Sequence, residues 1–130
     1  MIVLDASAVI ELLLRTPTGA RIAGRIAAPE ESLHAPCVLD LEVVQVLRRY
    51  TTAGAITAAE AEQALRDLAE LDINRYEHEP FVPRIWQLRH NLTAYDACYV
   101  ALSEALEAPL LTCDNRIRLA PGHEATVEVF

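Results

Sequence analysis

The chain contains no lysine. All eleven of its basic side chains are arginines, set against nineteen acids for a net charge of −8, so any cationic patch must be built from guanidinium forks suited to phosphate or carboxylate. That balance argues against a generic nucleic-acid binder, because counterion release requires a basic footprint. Biased codon usage explains the missing lysine more simply than selection for a function does. Cysteine is also scarce: Cys37, Cys98 and Cys113 are odd in number and lack the paired spacing of a zinc site, which suits free thiols in a reducing compartment. Long hydrophobic runs are absent as well. Met1 to Leu4 is apolar, but Asp5 interrupts it at once, leaving neither a signal-peptide core nor a membrane span, and the expected location is the cytoplasm. There is no internal repeat and no linker, so residues 1–130 are expected to form a single domain. What the chain has in excess is apolar surface. It is 52% hydrophobic, rich for a soluble monomer, and this points to a face covered by a partner.

The order of elements follows from periodicity and breakers. Met1 to Asp5 reads as a central parallel strand, buried on both faces. A short helix over Ser7 to Arg15 follows, with Asp5 or Ser7 as its cap, and Thr16-Pro-Thr-Gly breaks it. A second helix is expected over Ala20 to Ala28, a brief strand over Ser32 to Ala35, and the longest helix from about Cys37 to Thr52. Thr57-Ala-Ala-Glu60 is a capping box that launches an amphipathic helix with Ala61, Ala64, Leu65, Leu68 and Leu71 inward. Ile73 to Glu79 reads as a third strand, Pro80 to His90 as a helix, Ala94 to Ala108 as another, and Pro109 to Asp114 as a fourth strand. A short helix around Arg116 to Leu119 and an edge strand over Ala125 to Phe130 complete the chain. Strands alternating with helices imply a three-layer α/β/α domain with a mainly parallel sheet of about five strands.

The stretch from Asn91 to Asn115 fixes where carboxylates meet. Thr93 caps a helix that carries Asp96 in its first turn. That helix is about 22 Å long at 1.5 Å per residue, and the strand returning to Asp114 spans about 20 Å. Packed antiparallel, they place Asp96 and Asp114 at the same edge of the sheet. Each acid also has a purely structural explanation: Thr93 to Asp96 is a capping box, and Asp114 is a plausible cap for the helix that begins at Asn115. In doubly wound sheets the site lies beyond the carboxyl ends of the strands, where their order reverses. Asp5 and Asp114 both end strands. If those strands are neighbours, the two acids flank one crevice, and Glu42 or Asp40 approaches from the long helix. Periodicity does not choose between these last two.

Converging carboxylates raise one another's pKa unless a cation is bound. An all-oxygen donor set without a cysteine-histidine cluster points to Mg²⁺ or Mn²⁺, which activates water for in-line attack on a phosphodiester.

The segments Met-Ile-Val-Leu-Asp-Ala-Ser-Ala, Ala-Pro-Cys-Val-Leu-Asp-Leu-Glu-Val-Val-Gln-Val-Leu-Arg-Arg, Leu-Thr-Ala-Tyr-Asp-Ala-Cys-Tyr-Val-Ala-Leu-Ser-Glu and Pro-Leu-Leu-Thr-Cys-Asp occur in this order across the chain. Together they resemble a PIN domain, and more narrowly the VapC toxins of VapBC toxin-antitoxin pairs. By this resemblance the site acids are Asp5, Glu42, Asp96 and Asp114, which selects Glu42 over Asp40. Asp5, Asp96 and Asp114 are then the metal ligands, with Glu42 binding a second ion or orienting the attacking water. Ser7, Thr93, Thr112 and Asn115 become supporting or water-orienting groups. The resemblance further implies a Mg²⁺- or Mn²⁺-dependent endoribonuclease, a homodimer, and a VapB-like antitoxin that blocks the site. Gln45 departs from the pattern, since many relatives carry asparagine there, and receives no role. Arg15, Arg49 and Arg116 are candidate phosphate contacts because each lies near one of these elements. Three rival readings remain: a receiver-type phosphorylation domain, disfavoured because it needs a site lysine; a metal-silent binding relative; and a nuclease acting on structured DNA.

Overall fold

A computed structural model describes all residues, Met1 to Phe130. Five strands form one parallel sheet: β1 (Ile2–Leu4), β2 (Leu33–Pro36), β3 (Ile73–Tyr76), β4 (Leu110–Thr112) and β5 (Val127–Val129). Their order is β3-β2-β1-β4-β5. The chain therefore steps outward from β1 to β2 and β3, then returns to the other side of β1 for β4 and β5. The reversal falls between β1 and β4, which pair in register through Val3 with Leu110 and Leu4 with Leu111. All three residues of β1 and all three of β4 are buried, as expected for strands covered on both faces.

Seven helices connect the strands: α1 (Ala6–Leu13), α2 (Pro17–Arg25), α3 (Val38–Thr52), α4 (Ala58–Glu70), α5 (Val82–Gln87), α6 (Ala94–Leu106) and α7 (Asn115–Leu119). Parallel crossovers are right-handed, so the steps toward β3 lay α1 to α4 over one face and the return to β4 lays α5 and α6 over the other. The packing follows: α1 contacts α2, α3 and α4, whereas α6 lies against β1, β2 and β4. The layered α/β/α architecture with five parallel strands is as the residue pattern predicts. No helix is long and apolar enough to cross a membrane.

The differences lie at element ends and have local causes. Thr16-Pro-Thr-Gly does not separate two helices by a loop but starts the second. The Thr16 hydroxyl accepts the Gly19 amide at 3.0 Å and Pro17 occupies the first helical turn, where its missing N–H has no intrahelical partner to lose. A Cβ on Gly19 would stand 2.0 Å from the Glu11 carbonyl oxygen, so the close approach of α1 and α2 requires glycine there. The helix expected over Pro80 to His90 is a 3-10 turn at Glu79–Phe81 followed by the short α5. Helix α6 ends two residues earlier than its pattern suggests, on Glu107 at φ 51. The Ser103 hydroxyl closes that end by donating to the Ala108 carbonyl at 2.6 Å. In α4, Ala64 and Leu68 are buried, but Leu65 stays 38% exposed.

Candidate active site

The strand reversal opens a cavity of about 270 Å³ lined by Asp5, Glu42, Asp96 and Asp114 together with Ser7 and Arg49. Each acid arrives from a different element. Asp5 follows β1, Asp114 follows β4, Asp96 sits in the first turn of α6 and Glu42 in the second turn of α3. Two adjacent parallel strands deliver their next residues to the same edge, and the helices of the flanking layers bring the other two over it.

Asp5 occupies the position before α1, yet its side chain makes no capping bond. Its Oδ2 instead accepts the Ser7 hydroxyl at 2.6 Å and the Thr112 hydroxyl at 2.7 Å. Thr112 is fully buried and Asp5 is only 6% exposed. The same two hydroxyls also hold the loop after β4: the Cys113 amide donates to Ser7 at 2.9 Å and the Asp114 amide to Thr112 at 3.0 Å. One oxygen of Asp5 is thus fixed, and the geometry of the loop that carries Asp114 is fixed by the same groups.

Glu42 is also held by a hydroxyl. Tyr99 Oη donates to its Oε2 at 2.5 Å. Burial pushes the Glu42 carboxyl above the ordinary carboxylate range, the Tyr99 bond opposes this, and Asp5 and Asp96 add to the rise. Asp96 is raised by burial first and then by Asp5. The Thr93 hydroxyl accepts the Asp96 amide at 3.2 Å and so caps the helix, and Thr93 also opposes the rise of the Asp96 carboxylate, which lines the cavity. Asp114 behaves differently. It caps α7 through the Arg116 amide at 2.9 Å and takes the Arg116 guanidinium on both oxygens, the shorter contact at 2.6 Å. Arg116 holds it below the usual carboxylate range.

The family described as PIN domain matches residues 2–122. The chain belongs to the PIN domain family. Ribonuclease VapC12 of Mycobacterium tuberculosis is 41% identical to it over 129 residues, covering 99% of this chain and 98% of the relative. Ribonuclease VapC1 of the same organism is 46% identical over 121 residues, covering 92% and 90%. Within the PIN family the chain therefore falls in the VapC group. The crystal structure of VapBC2 from Rickettsia felis bound to a promoter DNA fragment matches with a TM-score of 0.71 at 13% identity, covering 99% of this chain and 98% of that one. That likeness is one of fold.

In this PIN domain the four acids named by the resemblance line one cavity, and Asp40 does not join them. Its carboxylate accepts Arg75 at 2.8 and 2.9 Å, out on β3. Ser7 and Thr112 grip Asp5, Thr93 caps α6, and Asn115 is exposed with its Oδ1 occupied by Arg118 at 3.0 Å. The three arginines separate. Arg15 turns outward toward Asp67 at 3.7 Å with its side chain 81% exposed. Arg116 is engaged by Asp114. Arg49 lines the cavity and belongs to none of the protein's ion pairs. Tyr99 is the residue that sequence reasoning missed. Its signal was available: it stands three positions after Asp96 on α6, the one hydroxyl-bearing aromatic in an otherwise small and aliphatic buried run, and a buried phenol needs a partner.

The donor set suits a hard cation. It is entirely oxygen, and Asp5, Glu42 and Asp96 stand together with no counter-charge among their hydrogen-bond partners. No three acidic, histidine or cysteine side chains are drawn tightly enough to enclose an ion by themselves. An ion held there would have to keep several of its own waters and take few protein ligands, as Mg²⁺ does.

Proposed function

We propose that this PIN domain is a Mg²⁺- or Mn²⁺-dependent endoribonuclease, the toxin of a VapBC-type pair. One observation carries the reading: four carboxylates from four separate elements line a single cavity at the strand reversal, and two of them, Glu42 and Asp96, are pushed above the ordinary range by burial and by the neighbouring Asp5. Leaving such charges unpaired is costly, which is the expected mark of a site that takes a cation and an anionic substrate. The names of the curated relatives supply the substrate class.

Asp5, Asp96 and Asp114 would hold the ion, directly or through its waters. Bound there, the ion supplies a lowered pKa for its water and neutralises charge on the phosphodiester oxygens. The chain's own groups do the remaining work. The free oxygen of Glu42 orients the attacking water and accepts its proton. Arg49 offers an unpaired guanidinium fork to a phosphate of the RNA. Arg116 has to leave Asp114 for that acid to take part, and once released it stands at the cavity mouth as a second phosphate contact. The cut leaves a 5′-phosphate on the downstream fragment.

The partners follow from exposed apolar surface. Leu41 is 72% exposed, Trp86 65% and Tyr95 59%, with Val44 and Val82 also in solvent. We assign this surface to a second copy of the chain and to a VapB-like antitoxin that covers the site. The deciding experiment incubates total RNA with purified protein, with Mg²⁺, with Mn²⁺ and with a chelator, and sequences the cut ends. Metal-dependent cuts bearing 5′-phosphates at defined sites are expected. RNA that remains whole under every condition would refute the nuclease and leave the metal-silent binding module as the reading.

A further inference from the structure

Glu42 differs from the other acids in a way that matters for its task. It projects from the second turn of a helix rather than from a strand end, and its side chain has one more rotatable bond than an aspartate, so the carboxylate starts with more rotamer freedom to lose. A carboxylate that must hold a water within hydrogen-bond reach of a phosphorus needs its orientation set in advance, because misplacement by an ångström costs rate steeply. Something has to fix it.

The geometry points to Tyr99 as the positioning residue for Glu42: a buried phenol that takes one carboxylate oxygen and turns the other into the cavity. The inference rests on the nuclease reading above and adds to it a residue that lines no part of the cavity. Four observations carry it. Tyr99 is 0% exposed and is the largest of the fully buried side chains, so the packing of its ring fixes the place of its hydroxyl. That hydroxyl has one proton, donated to Glu42 Oε2 at 2.5 Å, while Oε1 has no hydrogen-bond partner in the protein. Tyr99 stands on α6 three residues after Asp96, hence on the same side of the helix, so one rigid element sets both Asp96 and the orientation of Glu42. Finally, Asp5 is arranged on the same plan: Ser7 and Thr112 both donate to its Oδ2, leaving Oδ1 free. Two acids from different elements each have one oxygen tied by a buried or half-buried hydroxyl and the other open. A ring that only filled space would need no hydroxyl aimed at a carboxylate.

The alternative is that Tyr99 is simply core, its hydroxyl satisfied by the nearest acceptor. The two are separated by kinetics on the full chain, using a fluorophore-quencher RNA oligonucleotide that carries a cleavage site found by sequencing cut ends of total RNA. Tyr99→Phe removes the hydroxyl and keeps the ring. With Tyr99 as positioning residue, kcat falls by roughly tenfold to a hundredfold while KM stays within about twofold, since orientation is lost and binding is not. The double variant Tyr99→Phe with Glu42→Gln should be no slower than Glu42→Gln alone, because the hydroxyl then has nothing to position. Glu42→Asp provides a second route that leaves the core ring untouched. It keeps the charge but draws the carboxylate back from the hydroxyl, and should lose kcat to a similar degree. A wild-type kcat in Tyr99→Phe, or losses that multiply in the double variant, would overturn the positioning role. Should Tyr99→Phe not fold, a wild-type kcat in Glu42→Asp would overturn it instead. A wild-type protein inert toward RNA would remove the nuclease reading and this inference together, an outcome distinct from an active enzyme indifferent to the hydroxyl.

Discussion

The amino end of the sheet and the cavity at its carboxyl end treat charge in opposite ways. At the amino end acids are matched with arginines. Arg84 clasps Glu104 with contacts of 2.8 and 2.9 Å and also donates to the Gly122 carbonyl at 3.0 Å. The Glu124 amide adds a further bond to Glu104 at 3.0 Å, and the result holds Glu104 below the usual carboxylate range. Nearby, Arg25 reaches Glu128 at 2.8 Å on the edge strand and Glu31 at 3.8 Å, and Glu31 also takes the amino terminus at 3.0 Å. In the cavity at the carboxyl end Asp5 and Glu42 take hydroxyls as partners, and neither they nor Asp96 belong to any ion pair. The chain has eleven arginines to distribute, so the contrast is not one of supply. Acids that tie elements of the fold together are paired; the acids that line the cavity are left without an arginine partner, at a cost in stability. Asp114 stands between the two regimes, since its partner Arg116 is exposed to solvent, where such a bond is weak and easily exchanged.

The contrast can be broken most severely at Asp5. Asp5→Asn keeps the shape and the hydroxyl bonds but removes a charge, and RNA cleavage should fall by roughly a thousandfold while circular dichroism and chromatographic size stay those of the wild type. Retained cleavage would dissolve the distinction between the two ends. Arg84→Ala is the mirror experiment. It strands Glu104 and should lower stability by about 1–2 kcal/mol, read in urea denaturation, with the cleavage rate per folded molecule unchanged. Mg²⁺ or Mn²⁺ at millimolar concentration should raise the melting temperature at neutral pH by roughly 2–5 °C, by binding the native state. The rise should survive Arg84→Ala and vanish in Asp5→Asn.

The smallest effect is the most diagnostic of unpaired charge. Glu42 and Asp96 bind their protons more tightly in the folded protein than in the unfolded chain. They therefore favour the fold at low pH, and this contribution disappears as pH rises from the ordinary carboxylate value through their raised ones. Glu104 and Asp114, held low by arginines, work in the opposite sense: their contribution is present above the ordinary value and is lost as pH falls through the lowered one. In metal-free buffer Asp96→Asn should thus melt slightly above the wild type at neutral pH, by about 1–2 °C, and equal it below about pH 4. A variant that melts lower at neutral pH would mean that Asp96 is a structural acid after all.

Much of this was legible beforehand, and the limits were physical. Periodicity and breakers located every strand, because buried parallel strands leave short apolar runs that few other elements imitate. Thr16-Pro-Thr-Gly was read as a break because proline and glycine interrupt a helix from within, and only the Thr16 bond to Gly19 reveals that here they begin one. Asp40 and Glu42 could not be separated by spacing, since both lie on mixed faces of α3; the resemblance chose Glu42, and the coordinates put Asp40 against Arg75 on β3. Arg15, Arg49 and Arg116 looked alike in sequence, yet one turns to solvent, one lines the cavity and one holds an acid.

The sequence by itself determined that strands and helices alternate, that acids stand at the ends of the first and fourth strands and in the first turn of α6, and to which family the chain belongs. These are local properties, carried by a few neighbouring residues at a time. Only the tertiary structure decided that β4 returns to lie beside β1, that Asp40 turns away to Arg75, and that Tyr99 reaches Glu42 through the core. Such facts depend on contacts between residues tens of positions apart, whose geometry is set by crossover handedness and side-chain packing and leaves no mark on the order of the chain.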